Sequence, residues 1–464
     1  MSKYELDQKI LSAFSSLTIN KEVVRNLNIR DKRTIPSFVE EWLVDRFHSE
    51  SSTELDTFSK ISEFMSKHLP DKSEKNKIKY AIQKGESTVL LDRFEVRIDI
   101  VKDKRILSIP CIDENSATIT KDVLDSNHSL LEGGQWGAGR LNLGYDGKQN
   151  IIELVDFSPM ESGFVVLSEL IKARESFTTK EWIYVLLRSM GYEPFSYTES
   201  QQRCLLLRLI PLVQNNINMM ELAPKGTGKS FIYSNLSRYT WLNSGGALSE
   251  AQLFFNLSTK QVGLFGNYDL LVLDEGQSIN FKGADDIHAK FKNYLESGEF
   301  SRGNKKVSSE CGLMILANID IYENKPMRSD YIKHLPEMFH DDALIDRFHG
   351  IIPGWEIPRF TTDKAAQGYG IKADVFGQYM HQLRLVSHLE FPFGESPDFK
   401  GDIRDKNAVT RLCKALSKLL LINPGHEDYQ EYVLEPSINL RRRVRTQLAE
   451  LNPNEFSNPM NLTY

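Results

Sequence analysis

The stretch Glu221-Leu-Ala-Pro-Lys-Gly-Thr-Gly-Lys-Ser230 decides the fold of this chain. Its last three residues are typical of a loop that wraps phosphates with backbone N–H groups, sets a lysine on the β/γ oxygens and offers a hydroxyl to Mg²⁺. Ala223 stands where the usual pattern has its first glycine, which alanine can replace if its φ is negative. We expect a strand over Met219–Ala223 and a helix over Ser230–Tyr239. The predicted nucleotide ligands are Pro224, Lys225, Gly226, Thr227, Gly228, Lys229 and Ser230.

A second stretch, Tyr268-Asp-Leu-Leu-Val-Leu-Asp-Glu275, is an apolar run that ends in two carboxylates. This pattern is typical of a buried strand whose carboxyl end faces a ligand. We expect Asp274, together with the Ser230 hydroxyl, to hold Mg²⁺, and Glu275 to orient and polarise an attacking water. The alternative is a solvated acidic strand end.

A third apolar run, Gly312–Asn318, ends in an amide. An asparagine at the end of a buried strand can hydrogen-bond both the γ-phosphate and the attacking water. The alternative is that Asn318 only starts the turn before Asp320.

Arginines supply further candidates for the chemistry. Arg347 follows Ala-Leu-Ile-Asp at the end of a short predicted helix, where it can act on the nucleotide of a neighbouring subunit as an arginine finger. The alternative is a salt bridge with Asp342 or Asp346 of its own chain. A later amphipathic helix can bring Arg404 or Arg411 over the γ-phosphate as a lid, unless its basic side is only a solvated face.

Hydrophobic spacing organises the rest of the chain. Apolar residues recur at helical intervals before about residue 70, and from 86 to 157 the period becomes two, which favours a small β-barrel or sandwich. Four glycines in Leu131–Arg140 form either a turn or bulge or a ligand-contacting loop. Helices return over Glu161–Lys172, Thr178–Met190 and Arg203–Gln214. The predicted modules are 1–80 (helical), 81–160 (β-barrel), 161–205 (helical connector), 206–365 (nucleotide-binding core) and 366–464 (helical lid and tail).

Length, composition and net charge limit the possible classes of protein less strictly than the motifs do. At 464 residues we expect about two to four domains, at roughly 150 residues each. The four cysteines form no C-x-x-C pair, which argues against a zinc site or a disulfide framework. Without an apolar leader or a run of ~18 apolar residues, a cytoplasmic protein is expected. The net charge of -6 leaves a local basic channel for DNA open.

The order of these motifs resembles that of an AAA+ ATPase. More narrowly, ELAPKGTGKS, NLSTKQVG, YDLLVLDEGQSI and DRFHGIIPGWEIP resemble the BrxL family, the Lon-related AAA+ ATPases of BREX phage-resistance systems. The resemblance implies an α/β AAA+ P-loop core with an α-helical lid, preceded by a helical region and a small OB-like β-barrel. ATP and Mg²⁺ are the implied cofactors. Asn318 becomes sensor 1, and Arg404 or Arg411 becomes sensor 2.

The resemblance also gives meaning to a predicted hairpin, Glu299-Phe-Ser-Arg-Gly-Asn-Lys-Lys-Val307. It is similar to the pre-sensor-1 hairpin of AAA+ rings such as the MCM helicases, whose tips line the central pore. Arg302, Lys305 and Lys306, repeated around a ring, would contact DNA phosphates without reading bases. The alternative is a solvated charged turn. The β-barrel likewise resembles the OB-like collar of MCM proteins.

Together with these residues, the resemblance implies an ATP-hydrolysing ring motor that binds or encircles DNA in anti-phage defence. The implied partners are double-stranded DNA bound without sequence specificity, copies of this chain in a hexameric ring, single or stacked, and other BREX components, with no membrane. The alternatives are a Lon-like protein unfoldase and a non-hydrolysing scaffold. The family's Lon-type protease domain does not fit into Pro436–Tyr464, so no peptidase activity is predicted from the residues present.

Overall fold

The computed structural model describes residues 1–29, 35–49, 51, 53–100, 103–131, 133–161, 165–236, 238–258, 261–282, 284–302, 304–386 and 402–456. Predicted segments that contain residues 30–34, 50, 52, 101–102, 132, 162–164, 237, 259–260, 283, 303, 387–401 or 457–464 lie partly outside this range. The chain divides into two compact units, Glu22–Phe164 and Met1–Lys21 with Val165–Tyr464. None of the described helices has the length and apolarity to cross a membrane.

Helices and strands alternate irregularly along the chain. The α-helices are α1 (Lys3–Phe14), α2 (Lys21–Leu27), α3 (Ser37–His48), α4 (Glu54–His68), α5 (Lys75–Gln83), α6 (Lys121–Ser126), α7 (Leu167–Arg174), α8 (Thr179–Ser189), α9 (Glu199–Leu206), α10 (Ile210–Val213), α11 (Lys229–Asn235), α12 (Glu250–Leu253), α13 (Ala284–Ser297), α14 (Asp342–Ile345), α15 (Ala373–Leu385), α16 (Ile403–Leu420) and α17 (Glu435–Leu451). The strands are β1 (Thr18–Asn20), β2 (Thr88–Asp99), β3 (Lys104–Ile109), β4 (Glu114–Ile119), β5 (Gln135–Tyr145), β6 (Asn150–Pro159), β7 (Asn218–Ala223), β8 (Thr240–Ser244), β9 (Ala247–Ser249), β10 (Phe255–Asn256), β11 (Gln261–Val262), β12 (Leu270–Asp274), β13 (Asn280–Lys282), β14 (Glu299–Arg302), β15 (Lys305–Ser308), β16 (Gly312–Asn318), β17 (Ile321–Tyr322), β18 (Lys325–Pro326), β19 (Gly350–Pro353) and β20 (Tyr369–Ile371).

The Glu22–Phe164 unit contains a closed barrel of β2, β3, β4, β6 and β5. Its neighbouring strands are antiparallel except for β4 and β6, whose parallel pairing closes the barrel. Side chains such as Phe94, Leu107 and Leu154 are fully buried inside, as the period-two pattern requires. The predicted small β-barrel is therefore confirmed.

The glycine-rich stretch shapes one wall of this barrel. Gly133 and Gly134 have φ angles of 82° and 90°, which glycine adopts readily. Gly137 and Gly139 lie within β5 instead, and a methyl group on Gly139 would come within 2.4 Å of the Phe94 ring. A register irregularity follows at Arg140 and Leu141. The stretch thus forms a turn and a bulged strand.

Replacing Gly139 by alanine should therefore destabilise the barrel. The added methyl group must displace Phe94 or Leu154, and overpacking of this kind costs about 1–3 kcal/mol. Differential scanning calorimetry of the full chain measures the destabilisation. Gly144→Ala, on the same strand but against the partly exposed Glu153, is the matched control and should cost less than about 1 kcal/mol. Equal effects of the two substitutions would contradict this account.

The second unit is built on a five-stranded parallel sheet with the strand order β19-β7-β16-β12-β8. Every residue of β7 is buried, and β16 is buried up to its last residue, as expected for a parallel sheet covered on both faces. Because the strands are parallel, their carboxyl ends lie along one edge. Ala223, Ser244, Asp274, Asn318 and Pro353 end the five strands there.

Three predicted helices differ from those in the structure. The predicted helix Glu161–Lys172 begins at Leu167 and ends at Arg174 instead. The predicted helix Arg203–Gln214 is divided by a 3₁₀ turn over Leu207–Leu209, because Pro211 has no backbone N–H to donate and its ring opposes a continuous helix. The helix after the glycine loop ends at Asn235 rather than at Tyr239. Residues 1–21 belong to this unit because β1 pairs with β20, so the two units divide the chain differently from the five predicted modules.

Candidate active site

The loop between β7 and α11 brings a lysine and an asparagine into contact. The Lys229 Nζ donates to Asn318 Oδ1 at 2.8 Å and to the Pro224 carbonyl at 3.2 Å. Lys229 comes from the start of α11 and Asn318 from the end of β16, which pairs directly with β7. The two residues are far apart in sequence, and the parallel register places them together at the carboxyl edge of the sheet.

The loop backbone has the form that its glycines permit. Gly226 and Gly228 have φ angles of 83° and 76°, a region that side chains with a Cβ rarely adopt. Ala223 lies in β7 and has a negative φ, so alanine is accommodated where the usual pattern has glycine. Ser230 follows Lys229 on α11 and is half-buried.

The acidic pair at the end of β12 is split into two environments. Asp274 is half-buried, whereas Glu275 is exposed and has left-handed backbone angles of φ 51° and ψ 45°. Its N–H donates to Asp274 Oδ1 at 2.9 Å, and its carbonyl accepts from the Ser278 N–H at 2.8 Å. A left-handed conformation at a residue other than glycine costs about 1–3 kcal/mol and is concentrated at functional sites.

A glutamine connects this acidic turn to the Asn318 strand. The Asn318 N–H donates to Gln277 Oε1 at 3.1 Å. Asn318, whose side chain contacts Lys229, is thus also fixed through its backbone N–H by the turn that follows Glu275. Asn318 therefore links Lys229 to the turn after the acidic pair.

Burial disfavours the charged form of the lysine. Removal from water lowers the pKa of Lys229, and the nearby Arg208 lowers it further, while Glu221 and Asp274 oppose the shift. Anionic phosphate oxygens near Nζ would favour its charged form and raise the pKa again. Binding of a nucleotide at this lysine is then coupled to proton uptake.

This coupling predicts that ATP affinity falls as the pH rises through the lowered pKa of Lys229, by up to about tenfold per pH unit for one proton. Calorimetric titration from about pH 7.5 to about pH 10, below the ordinary lysine pKa of about 10.4, measures the effect. The matched variant Lys229→Arg keeps its charge over this range and should show a flatter profile. The same slope in both proteins would contradict the assignment.

A fully buried ion pair lies behind the loop. Arg208, between α9 and α10, forms an ion pair with Glu221 of β7 at 2.5 Å, and neither side chain is exposed to solvent. Arg208 also donates to the Tyr192 hydroxyl at 2.7 Å and to the Thr227 carbonyl at 3.2 Å. Sequence reasoning missed the roles of Arg208 and Tyr192. The available signal was that Arg208 interrupts the apolar run Leu205–Val213.

Arg347 contacts its own chain in the structure. Its Nε lies 3.0 Å from Glu296 Oε2, and its Nη1 donates to the Ala343 carbonyl. Arg347 thus forms an intramolecular salt bridge, as the alternative prediction held. Its partner is Glu296 at the end of α13 and not Asp342 or Asp346. Arg347 precedes β19 and therefore lies at the amino edge of the sheet, opposite its own glycine loop.

The two lid candidates also stay away from the loop of their own chain. Arg404 forms ion pairs with Asp346 at 2.8 Å and Glu296 at 3.3 Å. Arg411 donates to the Asn216 carbonyl at 2.9 Å, before the start of β7. A six-residue strand separates that point from the loop by roughly 20 Å. Arg359, which is exposed, packs on Gly226 of the loop.

The predicted hairpin is present as β14 and β15, in which Arg302 pairs with Lys305, and Gly303 at its tip lies outside the described residues. Its cations have different surroundings. Arg302 is tied to Glu250, with Nε at 3.1 Å, and to the Phe255 carbonyl. Lys306 forms a cross-strand ion pair with Glu299 at 2.6 Å but is exposed. Lys305 is exposed and has no acidic partner within the part of the chain that the structure describes.

Oxygen ligands at this edge of the sheet suit magnesium. Mg²⁺ is usually held by one or two protein oxygens together with substrate phosphates and water. The Ser230 hydroxyl and the Asp274 carboxylate supply such oxygens beside the lysine. The donor chemistry therefore fits the metal that accompanies a nucleoside triphosphate.

Comparison with known proteins identifies the family. Residues 152–461 match the family model described as "Lon-like protease BrxL-like, ATPase domain". The chain belongs to the BrxL family. Residues 12–143 match a second model, "BREX system Lon protease-like protein BrxL N-terminal". The BrxL assignment supports an ATPase role in BREX systems.

Two curated relatives carry the same family name. A "Lon-like protease BrxL" of Escherichia coli O9:H4 (strain HS) is 29% identical over 464 residues, covering 98% of this chain and 66% of the relative. A protein of the same name from Bacillus cereus (strain H3081.97) is 29% identical over 466 residues, covering 97% of this chain and 68% of the relative. The chain thus spans about two thirds of the length of these relatives.

Proposed function

We propose that this BrxL-family chain is an ATP-hydrolysing AAA+ ring motor that binds or encircles DNA in BREX anti-phage defence. The contact between Lys229 Nζ and Asn318 Oδ1 at 2.8 Å carries the proposal. It joins the glycine-loop lysine to the amide expected of sensor 1, directly beside the acidic strand end. Parallel sheets of this type bind nucleotides outside the carboxyl ends of their strands.

Each of these side chains has a separate role in ATP hydrolysis. Lys229 holds the β/γ oxygens of ATP, and Asn318 orients the γ-phosphate and the attacking water. Glu275 accepts a proton as the water oxygen bonds to the γ-phosphorus and the bond to the ADP oxygen breaks. Ser230 and Asp274 would hold Mg²⁺, which would supply positive charge to neutralise the phosphates. The exposed position of Glu275 on its left-handed turn leaves the carboxylate available for this water.

Assembly into a ring is part of the proposal because Arg347 lies at the amino edge of its own sheet. From there it cannot serve the nucleotide of its own chain, but it can be presented to a neighbouring subunit as an arginine finger. Use of the finger would require Arg347 to leave Glu296. The helices α15, α16 and α17 make up the proposed lid, and neither Arg404 nor Arg411 of this lid reaches the loop of the same chain.

DNA is the proposed pore ligand because the described residues of the hairpin offer exposed lysines and no exposed aromatic side chain. Lys305 and Lys306 are exposed, while Phe300 is buried. Basic side chains suit phosphates, whereas a protein unfoldase of the Lon type would be expected to grip polypeptide with aromatic residues at the pore. Arg302 does not belong to this proposed surface since Glu250 holds it.

Glu275→Gln should separate ATP binding from ATP hydrolysis. The amide keeps the size of the side chain but cannot accept a proton, so turnover should fall by about 100-fold or more while ATP still binds. Steady-state ATPase assays and equilibrium binding measure the two properties. Glu323→Gln, an exposed glutamate on the β17–β18 turn, is the control and should behave as the unmodified chain. Turnover close to normal in Glu275→Gln would remove Glu275 from the mechanism.

Lys305→Glu should weaken DNA binding at low salt. Removing one lysine–phosphate interaction lowers the slope of log K against log salt by about one. Fluorescence anisotropy with a double-stranded oligonucleotide at several salt concentrations measures the slope. Lys325→Glu on the β17–β18 hairpin makes the same change in charge at another exposed turn and should leave the slope unchanged. Identical slopes for both variants would contradict DNA binding by the β14–β15 hairpin and favour the alternative of a solvated charged turn.

A further inference from the structure

The carbonyl groups on the back of the glycine loop have buried donors. Arg208 Nη1 and Nη2 each lie 3.2 Å from the Thr227 carbonyl oxygen. The Tyr192 hydroxyl, which accepts from Arg208, donates to the Gly228 carbonyl at a long 3.4 Å. Arg208 is fully buried and Tyr192 nearly so. These donors therefore act on the loop from the side away from solvent.

A peptide unit is planar, and its C=O and N–H point in opposite directions. Drawing the Thr227 carbonyl towards Arg208 therefore turns the Gly228 N–H the other way. Drawing the Gly228 carbonyl towards Tyr192 turns the Lys229 N–H likewise. In a phosphate-binding loop these N–H groups must point into the concave side, where the phosphates lie. The positive φ angle of Gly228, 76°, lets both peptide units adopt this orientation.

Glu221 fixes the arginine in place. Arg208 Nε lies 3.0 Å from Glu221 Oε2 and its Nη2 lies 2.5 Å from Oε1, a paired arrangement that orients the guanidinium plane. All five N–H groups of the guanidinium then have an acceptor among Glu221, Tyr192 and Thr227. Both carboxylate oxygens of Glu221 are thus engaged by Arg208.

We propose that Arg208 and Tyr192 are positioning residues that orient the Gly228 and Lys229 N–H groups for phosphate, with Glu221 orienting Arg208. The inference rests on the proposed ATPase function. Stability alone is a weak explanation for the pair, because replacing a buried ion pair by apolar side chains is often neutral or stabilising. What an apolar pair cannot supply is two donors on one loop carbonyl.

The test uses the full chain and three variants. Arg208→Lys keeps a charge beside Glu221 but cannot donate to Glu221, Tyr192 and Thr227 together. The double variant Arg208→Met/Glu221→Leu removes both charges, so that neither is left buried without its partner. Tyr197→Phe is the control, since the Tyr197 ring packs against Tyr192 at 5.9 Å but makes no part of the carbonyl contacts. ATPase kinetics, equilibrium binding of ATP and ADP, and thermal unfolding are measured for each.

We expect KM for ATP and Kd for ATP and ADP to rise about tenfold to a hundredfold in Arg208→Lys and in the double variant, with kcat changed less than about twofold. Uniform weakening of binding of this kind differs from the lower kcat and lower unfolding temperature that simple damage to the core would give. Tyr197→Phe should match the unmodified chain.

Three results would contradict the proposals. If the double variant unfolds at the normal temperature and binds ATP as tightly as the unmodified chain, the positioning role is overturned. A fall in kcat and stability without a rise in KM would also overturn it, in favour of a core role. If the unmodified chain itself neither binds nor hydrolyses ATP, the proposed function fails, and the positioning role fails with it.

Discussion

The five strands of the second unit are parallel, so their carboxyl ends all lie at one edge of the sheet. This constraint determines which side chains of the unit can meet. It brings Lys229, Asn318 and Asp274 together although they lie on three separate segments of the chain. The same constraint places two arginines at the opposite, amino edge. Arg347 directly precedes β19, and Arg411 contacts Asn216, which precedes β7. The sheet therefore separates the groups proposed to bind a nucleotide in this chain from those proposed to act in a neighbouring subunit.

Buried charge is the second organising feature of this unit. Arg441 of α17 is fully buried and holds Asp346 at 2.5 Å and Asp405 at 2.7 Å, and it also donates to the Phe348 carbonyl at 2.7 Å. Like Arg208, it uses several of its fixed donors at once, which a lysine could not do. Asp346 directly precedes Arg347, so α16 and α17 hold the backbone next to the proposed finger.

Much of the fold could be predicted from the sequence because local signals carry it. Strand periodicity indicated the barrel, and an apolar run before Gly-Thr-Gly-Lys indicated β7 and its loop. The contacts of Arg347, Arg404 and Arg411 could not be predicted, since their partners depend on which helix ends meet across the sheet. Arg208 was visible as a charge within an apolar run, but its partner Glu221 lies on another element, and only the folded chain joins them.

The pairing of β1 with β20 has a consequence for how the chain reaches its native state. Thr18 is paired with Ile371, so this segment meets its strand partner only after the long stretch of chain between them has been made. The unit Glu22–Phe164 has its own buried core and local strand pairings, which do not have to wait. The strand β1 thus stays unpaired until β20 has been made, and closing this long-range contact is a late step in folding.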